Sequence, residues 1–218
     1  MMHKPKIVDT KTQFIAIKDS RKNERLYKSC TYVKLPRLMN KGIMKTLSFF
    51  DISDSRTHVG LVQFNEQAQV VAKLDGNNDE GLIHDYLMYG LMPTGKMSFV
   101  EAFKAAREDV LGKGGRLMMP KLCLLFTAGC TGINFEETLA EAQKLKFFCS
   151  LFVVTTDTND FRRSFYEQLA TKSQLIIAEA NQLSTAVDGI AHQLCPSQLD
   201  SHSKLSFFFT NLSTSFVF

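Results

Sequence analysis

The sequence predicts an α/β fold: a doubly wound, mostly parallel six-stranded sheet with one antiparallel edge strand. Two apolar runs, Lys121–Thr127 and Phe147–Thr155, are typical of strands that are buried on both faces. Such strands occur mainly in parallel sheets that are covered by helices. Segments with helical periodicity alternate with the predicted strands. Residues 65–67 join strands Thr57–Phe64 and Ala68–Leu74 as a hairpin, which supplies the antiparallel edge.

The first elements lie near the N-terminus. Residues 1–12 are polar and are predicted to be disordered, and Gln13–Ile17 is a short β-prone run. Apolar residues then recur at helical spacing, which predicts an amphipathic helix over Leu35–Phe49. Pro36 suits the first turn of this helix, where a backbone N–H has no intrahelical partner.

Two helices are predicted between the hairpin and the long apolar strand. The first contains apolar residues from Leu82 to Leu91 and is ended by Pro93-Thr94-Gly95. Ser98 is placed to cap the second helix, and Glu101 three residues later completes a capping box. The second helix ends at Gly112–Gly115, and its predicted buried stripe consists of Phe99, Ala102, Phe103, Ala106 and Val110.

The second half of the chain continues the alternation of strands and helices. After strand Lys121–Thr127 the predicted elements are, in order, helix Phe135–Leu145, strand Phe147–Thr155, helix Phe161–Thr171, strand Gln174–Ala178 and helix Gln182–Leu194. The last helix has Leu183, Ala186, Val187, Ile190 and Leu194 on one face. Strands that alternate with helices of this length favour a doubly wound sheet.

Composition excludes two classes of protein. The net charge of +4 comes from scattered basic and acidic residues, whereas nucleic-acid binders usually carry a concentrated basic stripe. The one local excess, Lys18–Lys28, is interpreted as a solvated loop. No apolar run reaches about 18 residues, so no membrane span is expected. The N-terminus lacks an apolar signal-peptide core, which indicates an intracellular protein or a fragment of a longer chain.

Five cysteines leave the redox compartment open. Cys123 and Cys149 lie inside apolar runs and are predicted to be buried free thiols. Cys30 and Cys195 flank the body of the domain and could pair in a secreted protein. No cysteine or histidine spacing indicates a zinc site.

The predicted domain spans residues 13–195, and residues 196–218 form a non-domain tail. The segment Leu205–Phe218 has high β-propensity and no charge, which is typical of aggregation-prone sequence when it is exposed. We therefore interpret the tail as foreign to the domain. Deletion of Ser203–Phe218 should then cause no large loss of thermal stability.

Several local strings, in this order, are similar to those of a von Willebrand factor type A domain. They are Phe50-Asp51-Ile52, the run from Thr57 to Phe64, Pro93-Thr94-Gly95 leading to Glu101-Ala102-Phe103, the run from Lys121 to Gly129, and Leu151-Phe152-Val153-Val154. The resemblance covers about Phe49 to Cys195. Within the family, the string Gly60–Phe64 and the cysteine after the last helix resemble the matrix-type domains that are repeated in collagen VI alpha chains.

The resemblance implies a Rossmann-like sheet and, in many members, a metal-ion-dependent adhesion site (MIDAS). That site takes an Asp-x-Ser-x-Ser loop, a threonine from a second loop and an aspartate from a third, all of which offer oxygen ligands to Mg²⁺. Here the third-loop aspartate position is Ala128 and the second-loop threonine position is Met97. Ser98 is one place away from that position and is better placed to cap its helix.

The first loop can be aligned in two ways. Asp19-Ser20-Arg21-Lys22-Asn23 keeps the aspartate and loses both serines, whereas Tyr27-Lys28-Ser29-Cys30-Thr31 keeps two hydroxyls and loses the aspartate. Neither alignment completes the ligand set, and Lys96 or Lys22 would lie close by. We therefore expect no metal and no cofactor at this edge.

No catalytic constellation emerges from the residues. The histidines His58, His84 and His192 lie within predicted strands and helices, where structural roles are expected. Gly112-Lys113-Gly114-Gly115 lacks the spacing of a phosphate-binding loop, and Asp75–Glu80 lacks the spacing of an EF-hand.

The sequence thus predicts a non-enzymatic protein-interaction module. By resemblance, it would be an extracellular matrix or adhesion domain that contacts collagen-like or other matrix proteins. Three alternatives remain open: a metal-dependent adhesion receptor domain that uses Asp19 and Ser98, an intracellular scaffold domain in a multiprotein complex, and an α/β enzyme such as a hydrolase.

Overall fold

A computed structural model describes residues 13–19, 35–76, 79–89, 97–116, 119–128, 134–179, 181–188 and 190. The strands are β1 (Gln13–Asp19), β2 (His58–Phe64), β3 (Ala68–Ala72), β4 (Lys121–Thr127), β5 (Ser150–Thr155) and β6 (Leu175–Ile177). The α-helices are α1 (Leu35–Leu47), α2 (Glu80–Tyr89), α3 (Phe99–Lys104), α4 (Gly112–Gly114), α5 (Phe135–Lys146), α6 (Asp160–Leu169) and α7 (Leu183–Ala186). A π-helix, Ala105–Leu111, connects α3 to α4.

The six strands form one sheet in the order β3-β2-β1-β4-β5-β6. All neighbouring pairs are parallel except β2 and β3, which are antiparallel. This arrangement confirms the predicted fold, including the antiparallel edge strand. The strand Lys121–Thr127 has the predicted bounds and lies beside the central strand β1. Its carboxyl end therefore lies in the middle of one edge of the sheet, which we call the carboxyl edge.

Helices cover both faces of the sheet because both faces are apolar. One buried cluster includes Phe99, Phe103 and Val110 from the α3–α4 segment together with residues of α5 and α6. The other includes Met39 and Ile43 from α1 together with residues of α2 and α7. The predicted stripe of the second helix is buried at all five positions, namely Phe99, Ala102, Phe103, Ala106 and Val110.

The π-helix between α3 and α4 was not predicted, because its apolar spacing resembles that of an ordinary helix. It approaches β2 closely at a glycine: a Cβ atom on Gly60 would lie 2.5 Å from Cγ1 of Val110. The same segment is tied to α5 by an ion pair of 2.6 Å between Arg107 Nη2 and Glu141 Oε1. Gly60 thus permits a contact between backbone and side chain that any other residue would block.

Two predictions about the start of β5 are wrong. The predicted strand began at Phe147, but Phe147 and Phe148 lie in a turn before β5 and are exposed. Cys123 and Cys149, which were predicted to be free thiols, form a disulfide with a Cα–Cα distance of 6.0 Å. Hydrophobicity identifies a buried sulfur, but only the tertiary structure shows that the two sulfurs meet, because Cys149 lies in the turn just before β5.

None of the described helices is both long enough and apolar enough to cross a bilayer.

Candidate functional site

The carboxyl edge of the sheet is where ligands bind in open α/β folds, and it holds the positions that the sequence singled out. The described residues at this edge are the ends of β4 and β5, the residues before α3, and the start of α6. Both alignments of the first loop, Asp19–Asn23 and Tyr27–Thr31, lie outside the described residues, except that the backbone of Asp19 ends β1. Lys22 and Lys96 also lie outside them.

Met97, at the second-loop position, is part of the hydrophobic core. Its side chain is 7% exposed and belongs to the buried cluster of α3, α5 and α6. Thr127 Oγ1, at the end of β4, donates a hydrogen bond to Met97 Sδ over 3.9 Å. Position 97 therefore presents a thioether to the fully buried hydroxyl of the neighbouring strand.

Ser98 caps α3, as predicted. Its Oγ accepts a hydrogen bond of 3.3 Å from the backbone N–H of Glu101, and its own N–H donates to the Asn65 carbonyl oxygen over 2.6 Å. Capping satisfies one of the free N–H groups of the first helical turn. The Ser98 hydroxyl is therefore used within the fold.

Ala128, at the third-loop position, follows Thr127 directly and packs against the cluster of α1, α2 and α7. Its methyl group offers no ligand atom. Mg²⁺ prefers oxygen ligands, and the side chains of Ala128 and Met97 provide none. The residues at these two positions therefore do not fit the metal ion of a MIDAS.

The end of α2, which precedes the second loop, is held by two buried amides. Asn40 Nδ2 donates to the Leu87 carbonyl oxygen over 2.7 Å, and Gln63 Nε2 donates to the Tyr86 carbonyl oxygen over 3.3 Å. The last carbonyls of a helix lack intrahelical partners, so these bonds satisfy them. Side chains of α1 and β2 thereby fix where the second loop begins.

Asp157, two residues beyond β5, is an acidic residue at this edge that the sequence reading missed. Its Oδ2 accepts hydrogen bonds from the Tyr166 hydroxyl over 3.0 Å and pairs with Arg162 Nε at 2.9 Å. Its Oδ1 accepts from the Asn159 N–H over 3.1 Å. An aspartate just past a buried strand was the available signal, but these partners commit the carboxylate to the fold.

Burial changes the pKa of Tyr166, the tyrosine that donates a hydrogen bond to Asp157. Desolvation, reinforced by the adjacent carboxylate of Asp157, raises the pKa of Tyr166 well above its ordinary value. The phenol therefore stays protonated and continues to donate to Asp157 into the alkaline range, where an exposed tyrosine would ionise. Within the described ranges, no three histidine, cysteine, aspartate or glutamate side chains lie close enough together to hold a metal ion.

Two exposed aromatic side chains flank this edge. Phe135 is the first residue of α5 and Phe161 the second residue of α6, with 48% and 97% of their surfaces exposed. The ring of Phe135 packs edge-on against Phe165, with 4.6 Å between the ring centroids. The edge therefore offers apolar contact area that is anchored to the core by Phe165.

Residues 28–189 match the family model of the von Willebrand factor type A domain. The match begins earlier than the resemblance around Phe49–Cys195 had suggested. No curated protein matches the chain by sequence.

Solved structures with the same fold come from several organisms. Proximal thread matrix protein 1 from the mussel byssus, in a structure with a zinc-occupied MIDAS motif, superposes with a TM-score of 0.71 at 16% identity. The alignment covers 85% of this chain and 46% of the mussel chain, so this chain spans under half the length of that protein.

Two further structures have the same fold. The von Willebrand factor domain of the type V pili tip protein Mfa5 from Porphyromonas gingivalis gives a TM-score of 0.67 at 11% identity, with 86% of this chain and 96% of that chain covered. The manganese-loaded TRAP protein of Plasmodium vivax gives 0.63 at 15% identity, with 83% and 73% covered.

Proposed function

Because this chain belongs to the von Willebrand factor type A domain family, we propose that it is a non-catalytic protein-interaction module with a degenerate MIDAS. The observation that carries this proposal is the buried contact between Met97 Sδ and Thr127 Oγ1. In the family, the second-loop position supplies a threonine oxygen to the metal ion. Here the same position is a buried thioether, and the third-loop position is the methyl group of Ala128.

The polar side chains at the carboxyl edge support a non-catalytic role. Ser98 caps α3, and Asp157 accepts hydrogen bonds from Tyr166 and pairs with Arg162. A general base or nucleophile must instead reach a substrate atom. These groups are held by structural partners, so they favour a binding scaffold over an enzyme.

Two observations support an extracellular matrix or adhesion role. The first is the disulfide between Cys123 and Cys149, because disulfides persist mainly in oxidising compartments such as the extracellular space. One protein with the same fold is a matrix protein of the mussel byssus. We propose matrix proteins, including collagen-like ones, as partners.

The aromatic side chains Phe135 and Phe161 would contribute to partner binding. Exposed aromatic residues are over-represented among those that carry binding energy at protein interfaces. Because they lie at the carboxyl edge, the domain could bind a partner at the edge where ligands bind in open α/β folds, without a metal ion.

Two alternative functions would each require a specific experimental result. A metal-dependent adhesion receptor would require Ser98 to leave its cap and Asp19 to coordinate the ion. An intracellular scaffold would require the cysteines Cys123 and Cys149 to be reduced in the native protein, which thiol labelling of protein from its source tissue would reveal.

Binding to immobilised fibrillar collagen, measured with and without EDTA, tests the proposal. We expect binding that EDTA does not change and that Phe161→Ser weakens. Phe147→Ser is the matched control, because Phe147 is 87% exposed but lies at the opposite edge of the sheet. Loss of binding in EDTA would contradict the degenerate site, and absence of binding would exclude fibrillar collagen as the partner.

A further inference from the structure

The outer edge of β6 is a second candidate interaction surface, separated from β4 and Ala128 by strand β5. β6 is an outer strand of the sheet and pairs with β5 through Leu175, Ile176 and Ile177. Among the described residues, no strand lies on its other side. Unpaired edge strands present backbone donors and acceptors to any strand of suitable shape.

Hydrogen bonds to β5 show which backbone groups of β6 face outward. The Val153 N–H donates to the Gln174 carbonyl oxygen over 2.9 Å, and the Ala178 N–H donates to the Thr155 carbonyl oxygen over 3.1 Å. Backbone groups of successive residues in a strand point to alternate sides, so those of Leu175 and Ile177 point away from β5. Leu175 and Ile177 therefore direct their N–H and C=O groups outward from the sheet, where no strand of the described residues lies.

A groove of about 620 Å³ lies between β6 and α6. Leu175 and Ile177 line one side of the groove, and Asp160, Arg163 and Glu167 of α6 line the other. Arg163 and Glu167 are 61% and 54% exposed, and they pair with each other at 3.1 Å. The groove thus combines a free strand edge with a charged helix face.

The edge is complementary to itself under two-fold symmetry. If two copies of β6 pair antiparallel about Ile176, Leu175 of one copy lies opposite the partner's Ile177, and the reverse pair forms as well. Each such pair exchanges two hydrogen bonds, so about four bonds form across the axis. A two-fold interface of this kind uses the same patch on both copies.

The charges on α6 follow the same symmetry. Antiparallel pairing of the strands would also set the two α6 helices antiparallel, so that Arg163 would face the partner's Glu167 across the axis. Asp160 lies at the carboxyl edge and Lys172 at the amino edge, so they too would face each other across the axis. Opposite charges meet at each of these positions.

From this complementarity we propose that β6 binds β6 of a second copy of the chain and forms a dimer with one continuous sheet. The proposal does not depend on the binding function of the carboxyl edge. We choose a second copy as the partner because one two-fold rotation pairs the outward backbone groups of the two strands. The same rotation brings opposite charges on the two α6 helices together.

Sedimentation velocity of the full chain over a wide concentration range tests the proposal. We expect a monomer–dimer equilibrium whose dissociation constant rises about tenfold or more in Arg163→Glu and in Glu167→Arg, because like charges then meet across the axis. An equal mixture of these two variants should dimerise again, since opposite charges face each other in the mixed pair. Loss of the pair within one helix cannot produce that rescue.

Lys113→Glu is the matched control. It breaks another exposed pair of the same helical spacing, between Lys113 and Asp109, on a different surface. This variant should dimerise like the unaltered chain. If Lys113→Glu weakened the dimer as much as Arg163→Glu, the effect would be one of net charge and the proposal would be overturned.

Amide hydrogen exchange reads the backbone pairing directly. The amides of Leu175 and Ile177 should be protected in the dimer and exchange faster in Arg163→Glu, while Ile176, which faces β5, should change little. A monomeric chain at every concentration would overturn the proposal. So would protection of Leu175 and Ile177 in the monomer, because another segment would then cover the edge.

Discussion

Thr127 Oγ1 and Met97 Sδ lie 3.9 Å apart and join the end of the central strand β4 to the residue that precedes α3. A thioether is a weak hydrogen-bond acceptor, so this contact contributes mainly by burying both groups. In a metal-binding relative, the corresponding edge would be held together by an ion. Here the core extends up to the edge and performs the same joining role by packing.

Restoring one ligand should not restore a metal site. Ala128→Asp is expected to leave Mg²⁺ binding weaker than millimolar, because Met97 still lacks a ligand oxygen. Calorimetric titration with Mg²⁺ and Mn²⁺ measures this, with the unaltered chain as reference. Millimolar or tighter binding by either protein would contradict the degenerate site.

Met97→Thr should destabilise the fold by about 1–3 kcal/mol, because it removes buried apolar atoms and buries a second hydroxyl beside Thr127. Chemical denaturation measures the free energy of unfolding. Met97→Leu, which conserves volume, should cost less than about 1.5 kcal/mol. Equal stability of the threonine variant and the original chain would show that position 97 is not part of the core.

Gly60→Ala should destabilise the fold by about 1–3 kcal/mol, because its Cβ would overlap Cγ1 of Val110. Val110→Ala removes that carbon and should largely abolish the cost of the alanine at position 60. A double-mutant cycle of unfolding free energies measures the coupling. Additive effects would mean that the π-helix does not approach β2 at this glycine.

Stability should fall with rising pH above about 10, the ordinary pKa of tyrosine. Tyr166 has a raised pKa in the folded chain because it is buried beside Asp157, so its protonated form favours folding. This contribution is fully present below the pKa of the unfolded chain and is lost as the unfolded phenol ionises. For one group the slope approaches about 1.4 kcal/mol per pH unit.

Tyr166→Phe isolates this effect from other groups that titrate in the same range. The difference in unfolding free energy between the variant and the original chain should shrink as pH rises from about 9 to about 11, the range in which an exposed tyrosine ionises. Tyr86→Phe is a suitable comparison, because Tyr86 is 40% exposed. Parallel pH profiles for Tyr166→Phe and the original chain would contradict the expectation.

Loss of the disulfide should also destabilise the domain. Replacing Cys123 and Cys149 together by alanine is expected to cost about 2–4 kcal/mol, since the link closes a ring with a sequence separation of 26 residues. A reducing agent should lower the stability of the original chain by a similar amount and leave the double variant unchanged. A variant as stable as the original would argue against the link.

Much of the fold could be predicted because apolar periodicity carries it. The run Lys121–Thr127 is apolar on both faces, which gave the bounds of a buried parallel strand, and the stripe around Phe103 gave the buried face of a helix. The start of β5 could not be predicted in this way. Phe147 and Phe148 extend the apolar run, but the chain turns there and leaves their rings in solvent.

Features of the site could be predicted only where the residue type alone decides whether a ligand atom is present. The side chains of Ala128 and Met97 contain no oxygen, whatever their conformation. The loss of two metal ligands could therefore be predicted from the sequence. The partners of Asp157 depend on tertiary contacts with α6, and the pairing of Cys123 with Cys149 depends on the turn that places Cys149 just before β5. Such contacts depend on how one element packs against another, which local apolar patterns do not specify.

The link between Cys123 and Cys149 closes residues 123–149, including α5, into a covalent ring. A protease that cuts anywhere inside that ring cannot separate the chain into two pieces. The nicked molecule keeps both halves of the sheet on one covalent body and dissociates only after reduction. In an environment rich in secreted proteases, the domain would therefore survive a cut as a single molecule.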